Sequence, residues 1–576
     1  MRNNLKYLLF IGLAVVIVIT TSCKKKLEEA YANPNAQVQQ PIELIFPSMI
    51  GSFVGSSSAA GSAYGLAGDA LLIGRYIQFW GTFSASAQPV SATSANASNY
   101  DEMGGTVGSS DNLGSMWAAH YYGMGENINK IILWGTQQQK WDFVGAAWAM
   151  RAWSLLETTN EYGEIILREA FDPARSQFDY NQQSEVYDSV RITCFRALSF
   201  LNMTGGNMNP TSFAASDYYF NGGSLDKWKK FVYGLLARSY AYISNKSTYS
   251  PDSVIKYASL SCASNADNIT CKFQSTGITG TSNYFGSARS NVNTNTQGIR
   301  QTTYIADLMN GNNPGAFTGV SDPREWYLLR ENRNGTIKGL PAPWIGVNSM
   351  AFNDEPKSFA GTYVTYATSA PYPAAPATAG GYLSPEQGRY VFRDAAQWPI
   401  MTASEMQFLI AEASMRKNDN ATALTAYTNG ISLNFDMLTS TYNTNVPTAN
   451  QITPAMKTAY MANTSVVPAV PSGMTLTIIM LQKYISMYAY GVQEVWADMR
   501  RYHYTNIDPA TGAQVYAGFT PPSGATLFSL NNGKLVYRCR PRYNSEYLYN
   551  IPALTAIGAY PVGNDYNTKE CWFSQP

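Results

Sequence analysis

The 576-residue chain has little charge, and its two signs almost cancel. Only 14% of the residues are Asp, Glu, Lys or Arg, and the formal net charge at pH 7 is +1. A nearly neutral chain provides no positive field that would attract a nucleic acid, so that class of partner is not expected.

Histidine and recognisable catalytic motifs are also lacking. The two histidines, His120 and His503, do not stand in a metal-binding spacing such as HExxH, and no CxxC pair occurs. We therefore expect no zinc site, and the sequence indicates no cofactor. GxSxG, P-loop and Rossmann patterns are missing at strand–helix junctions, so no catalytic residue is predicted.

Cysteine is too scarce for a disulfide framework. Apart from Cys23, the chain has Cys194, Cys262, Cys271, Cys539 and Cys571. Cys262 and Cys271 are close enough in sequence to pair across a short loop. Whether their geometry allows a bond is left open by the sequence.

The N-terminus has the pattern of an export signal. Arg2 and Lys6 precede the apolar run Leu8–Ile19. This run is short for a membrane span. The small residues Thr20-Thr21-Ser22 follow it and stand directly before Cys23. A lipoprotein signal peptidase cuts before a cysteine that carries diacylglycerol. We expect residues 1–22 to be a lipoprotein signal peptide and Cys23 to be the acylated first residue; an ordinary signal peptide is the alternative.

Aromatic residues are as frequent as basic ones. The 40 tyrosines equal the 40 lysines and arginines, and 12 tryptophans add to them. Their rings offer a flat apolar face with a polar edge, which suits contact with sugars or with another protein. The alternative is that most of these rings lie in the core.

Apolar residues at three- and four-residue spacings predict amphipathic helices in two parts of the chain. The predicted segments are Met116–Trp134, Phe143–Leu156 with an end near Tyr162-Gly163, Val186–Leu201, Trp228–Ile243, Ser404–Lys417, Ala421–Leu433 and Met474–Arg500. Between them, residues 261–400 are rich in Ser, Thr, Asn, Gly and Pro. We expect an anchor and extended tether over 23–45 and one domain over 46–576. In that domain a helical scaffold at about 112–245 and 402–502 would carry an irregular ligand-side region at about 261–400.

Two glutamates on one predicted helix need partners. Glu405 and Glu412 are seven residues apart beside apolar residues, so their carboxylates are expected to be partly buried and paired with Arg238 or Arg500. Trp496 and Arg500 are one helical turn apart and can stack. We interpret this group as internal stabilisation between stacked helices.

Several pieces of the chain, in their order and spacing, resemble one known family. These pieces are the Cys23 anchor, YANPNA (31–36), WAAHYYGMGENINKII (117–132), AWAMRAWSLLETTNEYGEI (147–165), KWKKFVYGLLARSYAYIS (227–244), DPR (322–324), SEMQFLIAEA (404–413), YGVQEVWADMRRY (490–502) and RPRYNSEYLYN (540–550). Together they resemble the SusD/RagB family of Bacteroidetes outer-membrane lipoproteins, in its SusD-like branch. The run Lys24–Glu29 is similar to the surface-export signal of such lipoproteins, or is simply a solvated charge run.

The resemblance implies both a fold and a role. The fold would be mainly α, with tetratricopeptide-like stacked helix pairs and a large loop-rich region. The role would be that of a lipid-anchored nutrient-binding protein of the cell surface. It would act as the lid of a TonB-dependent, SusC-type outer-membrane transporter and capture oligosaccharides or peptides. Family members are not enzymes.

A sugar-binding surface needs exposed aromatic rings with polar neighbours, and we expect these in the loops. The candidate ligand-binding residues are Arg75, Gln78, Trp80, Tyr100, Asp101, Tyr284, Tyr304, Trp344, Tyr363 and Tyr382. For each of them a buried or incidental position is the alternative.

Two other functions remain open at this point. A surface glycoside hydrolase would need two carboxylates about 5–10 Å apart. The irregular region supplies Asp322, Glu325, Glu331, Asp354, Glu355, Glu386 and Asp394, without a signature around them. The other alternative is a stand-alone glycan-binding or purely structural surface lipoprotein.

Overall fold

The computed structural model describes residues 39–54, 69–84, 101–104, 114–274, 283, 299–341, 344–346, 350–359, 361, 388–523 and 527–576. The predicted signal peptide and Cys23 lie outside these residues.

Helices dominate the part of the chain before residue 261. In chain order they are α1 (Ile42–Val54), α2 (Asp69–Tyr76), α3 (Ser115–Ala118), α4 (Gly125–Gln137), α5 (Trp141–Tyr162), α6 (Gln183–Leu201), α7 (Pro210–Ser216), α8 (Leu225–Ala241) and α9 (Pro251–Leu260). A π-helical segment, Ala119–Met124, joins α3 to α4.

The later part of the chain contributes a second set of helices. They are α10 (Thr303–Asn310), α11 (Glu325–Leu328), α12 (Ala403–Arg416), α13 (Asn420–Thr441), α14 (Pro454–Ala462), α15 (Leu476–Ser486), α16 (Val492–Arg501), α17 (Tyr543–Tyr549) and α18 (Ile551–Ala556).

Strands are short wherever the structure is described. They are β1 (Trp80–Ser84), β2 (Ile269–Cys271), β3 (Ile299–Gln301), β4 (Trp344–Gly346) and β5 (Trp398–Met401). β1 lies between β3, to which it is antiparallel with Trp80 opposite Gln301, and β4, to which it is parallel with Thr82 opposite Trp344. β2 pairs antiparallel with β5.

The scaffold is a stack of helices in which chain neighbours pair. α5 packs on α6, α8 on α9 and α12 on α13, while α6 also packs on α8 and α9 on α12. The apolar faces of these helices form one continuous buried core. The mainly α fold with tetratricopeptide-like helix pairs is therefore confirmed.

Buried ion pairs join the two halves of the scaffold. Arg238 of α8 donates two hydrogen bonds to the Glu405 carboxylate of α12, at 2.7 and 2.8 Å. Its Nη1 also lies 2.8 Å from Glu494 of α16. The predicted pairing of Glu405 with Arg238 is confirmed, and the predicted stacking is confirmed by the Arg500 guanidinium 3.6 Å from the centre of the Trp496 ring. A buried charge is tolerated when it is paired in this way.

Three details of the sequence prediction were wrong. Glu412 pairs with Arg501, at 2.7 and 2.9 Å, and not with Arg238 or Arg500. The segment Met474–Arg500 is two helices and not one, because the chain turns between α15 and α16 with Ala489 at a positive φ of 72°. Residues 42–45 belong to α1 and are not extended tether.

The five described cysteines are free and buried. Cys262 and Cys271 therefore do not pair, and burial raises the pKa of the Cys262 thiol to about 12. A buried thiol of this kind behaves as a small apolar side chain.

Candidate ligand-binding cleft

An open cleft of about 520 Å³ lies in the irregular region, where the ligand side was predicted. We call it the loop-side cleft. Its lining residues are Thr303, Asp307, Asn310, Asn312, Glu325, Trp326, Gly335, Thr336, Ile337, Lys338 and Gly339. They come from α10, α11 and one tight turn. The volume is within the range of sites that hold small molecules.

α10 provides one polar wall. Thr303, Asp307 and Asn310 are spaced by four and three residues, so they share one face of the helix. Gly311 ends α10 in the left-handed conformation, with φ at 81°, a position that glycine adopts without strain. The chain then turns to place Asn312 in the cleft.

A hydrogen-bonded turn provides another wall. The Asn332 N–H donates to the Thr336 carbonyl at 2.8 Å, and the Asn332 side chain accepts from the Thr336 N–H at 2.9 Å. The turn is fastened to α10 because Asn310 Nδ2 donates to the Ile337 carbonyl at 3.3 Å. Gly339 lets the chain after the turn pass close to the start of α10, since a Cβ there would stand 2.1 Å from the Thr302 carbonyl carbon.

Glu325 and Trp326 of α11 form the remaining wall. The Trp326 ring is half-buried and packs against the core, and its carbonyl accepts from Arg389 Nη1 at 3.3 Å. Glu325 is 9% exposed; Ser321 donates to its Oε1 at 3.5 Å, while its Oε2 has no hydrogen-bond partner. Burial and the neighbouring Asp322 carboxylate raise the pKa of Glu325 to about 7.

The residues just before α11 hold this wall on the scaffold. Arg324 pairs with Asp322 at 2.5 Å, and donates to Asn434 of α13 at 2.8 Å and to Gln482 of α15 at 2.7 Å. The DPR sequence therefore positions the cleft by joining the irregular region to two helices.

Most carboxylates of the irregular region are neutralised by neighbouring cations. Asp322 is paired with Arg324, Glu331 with Lys357 and Arg389, Asp354 with Lys338, and Glu355 with Arg300 and Arg333. Asp394 is buried, and Glu386 lies outside the described residues. Asp307, whose pKa is raised by burial, and Glu325 are the two carboxyl groups that line the loop-side cleft.

The first group of predicted ligand residues does not form a surface. Trp80 is fully buried, its Nε1–H donates to the Leu71 carbonyl at 2.9 Å, and its ring lies against Gly74, where a Cβ would be 2.3 Å from Trp80 Cζ2. Arg75 is also buried, and burial lowers the pKa of its guanidinium to about 10. The prediction that these two side chains are exposed was wrong. Gln78 is half-buried and donates to the Thr520 carbonyl at 2.6 Å.

The other predicted ligand-binding residues are buried or lie outside the described residues. Asp101 is 2% exposed and accepts from the Phe528 N–H at 2.8 Å, while Tyr304 is 6% exposed and packs on Tyr484 and Phe519. The prediction that Asp101 and Tyr304 are exposed was wrong, because the segments that carry these two residues pack on the core. Tyr100, Tyr284, Tyr363 and Tyr382 lie outside the described residues, as does the side chain of Trp344.

Sequence reasoning missed Trp326, Asp307 and Asn310, and noted Glu325 only as a hydrolase candidate. Two signals were present: the tryptophan two residues after the DPR sequence, and the Asn-Gly-rich runs NGNNPG (310–315) and NRNGT (332–336). Such runs mark turns, and turns are where binding side chains are often placed.

The chain matches, over residues 76–522, the SusD-like family described as starch-binding and associating with the outer membrane. This match covers most of the sequence, and the chain belongs to the SusD-like family. No curated protein sequence matches it.

Solved structures of SusD homologues have the same fold. A SusD/RagB family protein from Bacteroides thetaiotaomicron has a TM-score of 0.60 at 20% identity, covering 93% of this chain and 99% of its own. A chitin-binding SusD homologue from Flavobacterium johnsoniae has a TM-score of 0.60 at 17% identity, covering 92% and 98%. A SusD homologue from Bacteroides fragilis has a TM-score of 0.61 at 15% identity, covering 93% and 100%.

The described residues contain no helix with the length and apolar character needed to cross a membrane. The same residues contain no group of three or more His, Cys, Asp or Glu side chains that could hold a metal ion.

Proposed function

We propose that this protein is a nutrient-binding lipoprotein of the cell surface that captures an oligosaccharide in the loop-side cleft. In this proposal Cys23 carries the lipid anchor. The observation that supports it most is the cleft itself, whose lining combines Trp326 with residues that carry amide, hydroxyl and carboxyl groups. Membership of a family described as starch-binding supports the same chemistry.

The cleft has the two components that sugar binding requires. An aromatic face stacks on the C–H groups of a sugar ring, and a contact of this kind contributes roughly 1 kcal/mol. Asn310, Asn312 and Thr336 can donate to and accept from hydroxyl groups. Glu325, protonated for much of the time near neutral pH, can donate a hydrogen bond through its carboxyl group.

The proposal includes a barrel partner, a SusC-type TonB-dependent transporter on which this protein would act as a lid. Ligand held between lid and barrel is retained even when each binds it weakly, because the two contacts add on closure. A stable complex of this kind would bury on the order of 2,000 Å² or more. The charge-poor, tyrosine-rich composition suits such an interface. A peptide ligand is the alternative to an oligosaccharide.

The direct test is calorimetric titration of the anchor-free protein with maltooligosaccharides and chitooligosaccharides, followed by Trp326→Ala. We expect affinity for the bound glycan to fall about fivefold, since the stacking contact of roughly 1 kcal/mol is lost. Trp134→Ala is the matched control, because Trp134 is also a half-buried helical tryptophan but lies outside the cleft. Equal affinity of the wild type and Trp326→Ala for every glycan that binds would exclude the cleft as the site.

The hydrolase alternative now rests on Asp307 and Glu325, the two carboxyl groups of the cleft. Our proposal predicts that the bound oligosaccharide is recovered intact after prolonged incubation. Cleavage that is abolished by Glu325→Gln would instead assign the cleft to a glycoside hydrolase.

A further inference from the structure

A second cleft, of about 220 Å³, lies in the helical scaffold. We call it the scaffold cleft. The lining residues that define its chemistry are His120, Trp148, Arg151, Phe171, Ile192 and Arg196. None of them lines the loop-side cleft, so the proposed function does not account for it.

The cleft carries positive charge, and none of its lining residues is acidic. Arg151 Nη2 donates to the Gly125 carbonyl at 3.2 Å and to Asn129 Oδ1 at 2.7 Å, both uncharged acceptors, and Arg151 Nε is buried without a partner. Among the described residues Arg151 forms no ion pair with a carboxylate; the charge of Glu126 favours the Arg151 cation without contacting it, and Asn129 Nδ2 donates to Glu126 at 3.1 Å. Burial lowers the pKa of Arg151 to about 10. A guanidinium held in this way gains from an incoming anion.

A second cation stands at the exposed rim of the cleft. Arg196 lies with its guanidinium carbon 4.6 Å from the centre of the Trp148 ring, and it forms no carboxylate ion pair in the part of the chain that the structure describes. His120 adds no charge at neutral pH, because burial and Arg151 lower its pKa to about 3. The two arginines therefore carry the positive charge of the site.

Most of the remaining lining is apolar, apart from two hydroxyl-bearing residues, Ser189 and Thr193. The Arg151 guanidinium carbon lies 5.5 Å from the centre of the Phe171 ring, and Ile192 leaves 58% of its surface exposed at the mouth. Leu155 and Ile166 are buried lining residues. An apolar pocket with cations in its wall is complementary to an apolar body that ends in an anion.

The backbone around the cleft departs from regular structure in two places. Phe171 has a φ of 68°, which is strained for a bulky residue. Its ring packs over Gly125, where a Cβ would stand 2.1 Å from Phe171 Cζ. His120 lies in the π-helical segment Ala119–Met124, and π-turns recur at functional sites. Both departures place a lining side chain.

We propose that the scaffold cleft is a second binding site, for a small apolar or aromatic molecule that carries a carboxylate. The Arg151 and Arg196 guanidinium groups would bind the carboxylate, while Trp148, Phe171 and Ile192 contact the apolar body. A free acid and the C-terminus of a short peptide present the same chemistry.

The test is equilibrium dialysis of the full chain in mild detergent against two probes that differ only in charge. N-acetylphenylalanine carries the carboxylate, and N-acetylphenylalaninamide does not. We expect the acid to bind at least about tenfold more tightly than the amide. Dialysis against 3-phenylpropionate then distinguishes the sources: binding of both acids indicates a free acid, and binding of the acetylated amino acid alone indicates a peptide terminus.

Two variants and a control localise the binding. Arg151→Gln should reduce affinity for the acid by about tenfold or more, and Arg196→Gln, which alters an exposed side chain, by about threefold. Arg168→Gln is the control, because Arg168 is an exposed arginine on the neighbouring segment and lies outside the cleft. Equal binding of acid and amide, no binding of the acid, or an equal loss in Arg168→Gln and Arg196→Gln would overturn the proposal.

Discussion

At the scale of single residues, burial decides what a side chain can do. Trp80 and Trp326 are both tryptophans beside polar residues in poorly periodic sequence. Trp80 is fully buried against Gly74, whereas Trp326 is half-buried and lines the loop-side cleft. A ring can stack on a ligand only if one of its faces is accessible, so Trp326 is the better candidate for the proposed site.

Glu325 should make the stability of the protein depend on pH. Its pKa is raised in the folded protein from 4.5 to about 7 by burial and by Asp322. A raised carboxyl pKa means that the folded state binds a proton that the unfolded state has lost. The free energy of unfolding should therefore fall as pH rises from about 4.5 to 7, by roughly 3 kcal/mol from this group. Glu325→Gln should remove that part of the fall in urea unfolding at pH 5 and pH 8; an unchanged difference between the two pH values would contradict this.

Trp496 should be among the side chains on which folding depends most. Its ring is fully buried, its Nε1–H donates to the Tyr504 hydroxyl at 2.8 Å, and Arg500 stacks on it. We expect Trp496→Ala to lower the free energy of unfolding by about 3–5 kcal/mol. Chemical unfolding measures the loss, and a value below about 1 kcal/mol would mean that the ring is not in the core.

At the scale of elements, ion pairs hold α8, α12 and α16 together. Removing Arg238 would leave Glu405 and Glu494 buried without their cation. We expect Arg238→Ala to cost about 3–5 kcal/mol in the free energy of unfolding. Arg168→Ala breaks an exposed pair with Glu185 and should cost less than about 1 kcal/mol, which makes it the matched control. Equal losses in the two variants would show that the buried network does not join the helices as described.

The long helices could be predicted because their apolar residues repeat with the helical period. The break between α15 and α16 could not be predicted, since the apolar sequence continues through it and alanine does not signal the positive φ that Ala489 adopts there. Likewise, α10 and α11 are short, and their formation depends on contacts such as those of Arg324 with α13 and α15. The region of the candidate site could be predicted from its composition. The individual residues could not, because the exposure of an aromatic ring depends on segments that are distant in sequence and pack against it.

At the scale of the whole molecule, a stacked-helix scaffold carries irregular segments that form the loop-side cleft. The scaffold is continuous across the chain, since α9 packs on α12 although 142 residues separate the end of one from the start of the other. Arg324 of the DPR sequence joins the cleft-bearing part to this stack through α13 and α15. A rigid support of this kind keeps binding side chains in position while the loops that carry them vary.

In the function that we propose, this protein captures a nutrient as part of a TonB-dependent transport complex. The most direct measurement is purification from membranes in mild detergent through a C-terminal tag, followed by mass spectrometry of the proteins that co-purify. We expect a TonB-dependent β-barrel transporter in the purified complex. It should remain bound at both low and moderate salt, because the interface is expected to contain few charged groups for salt to screen. Repeated recovery of the protein without any barrel partner would contradict it.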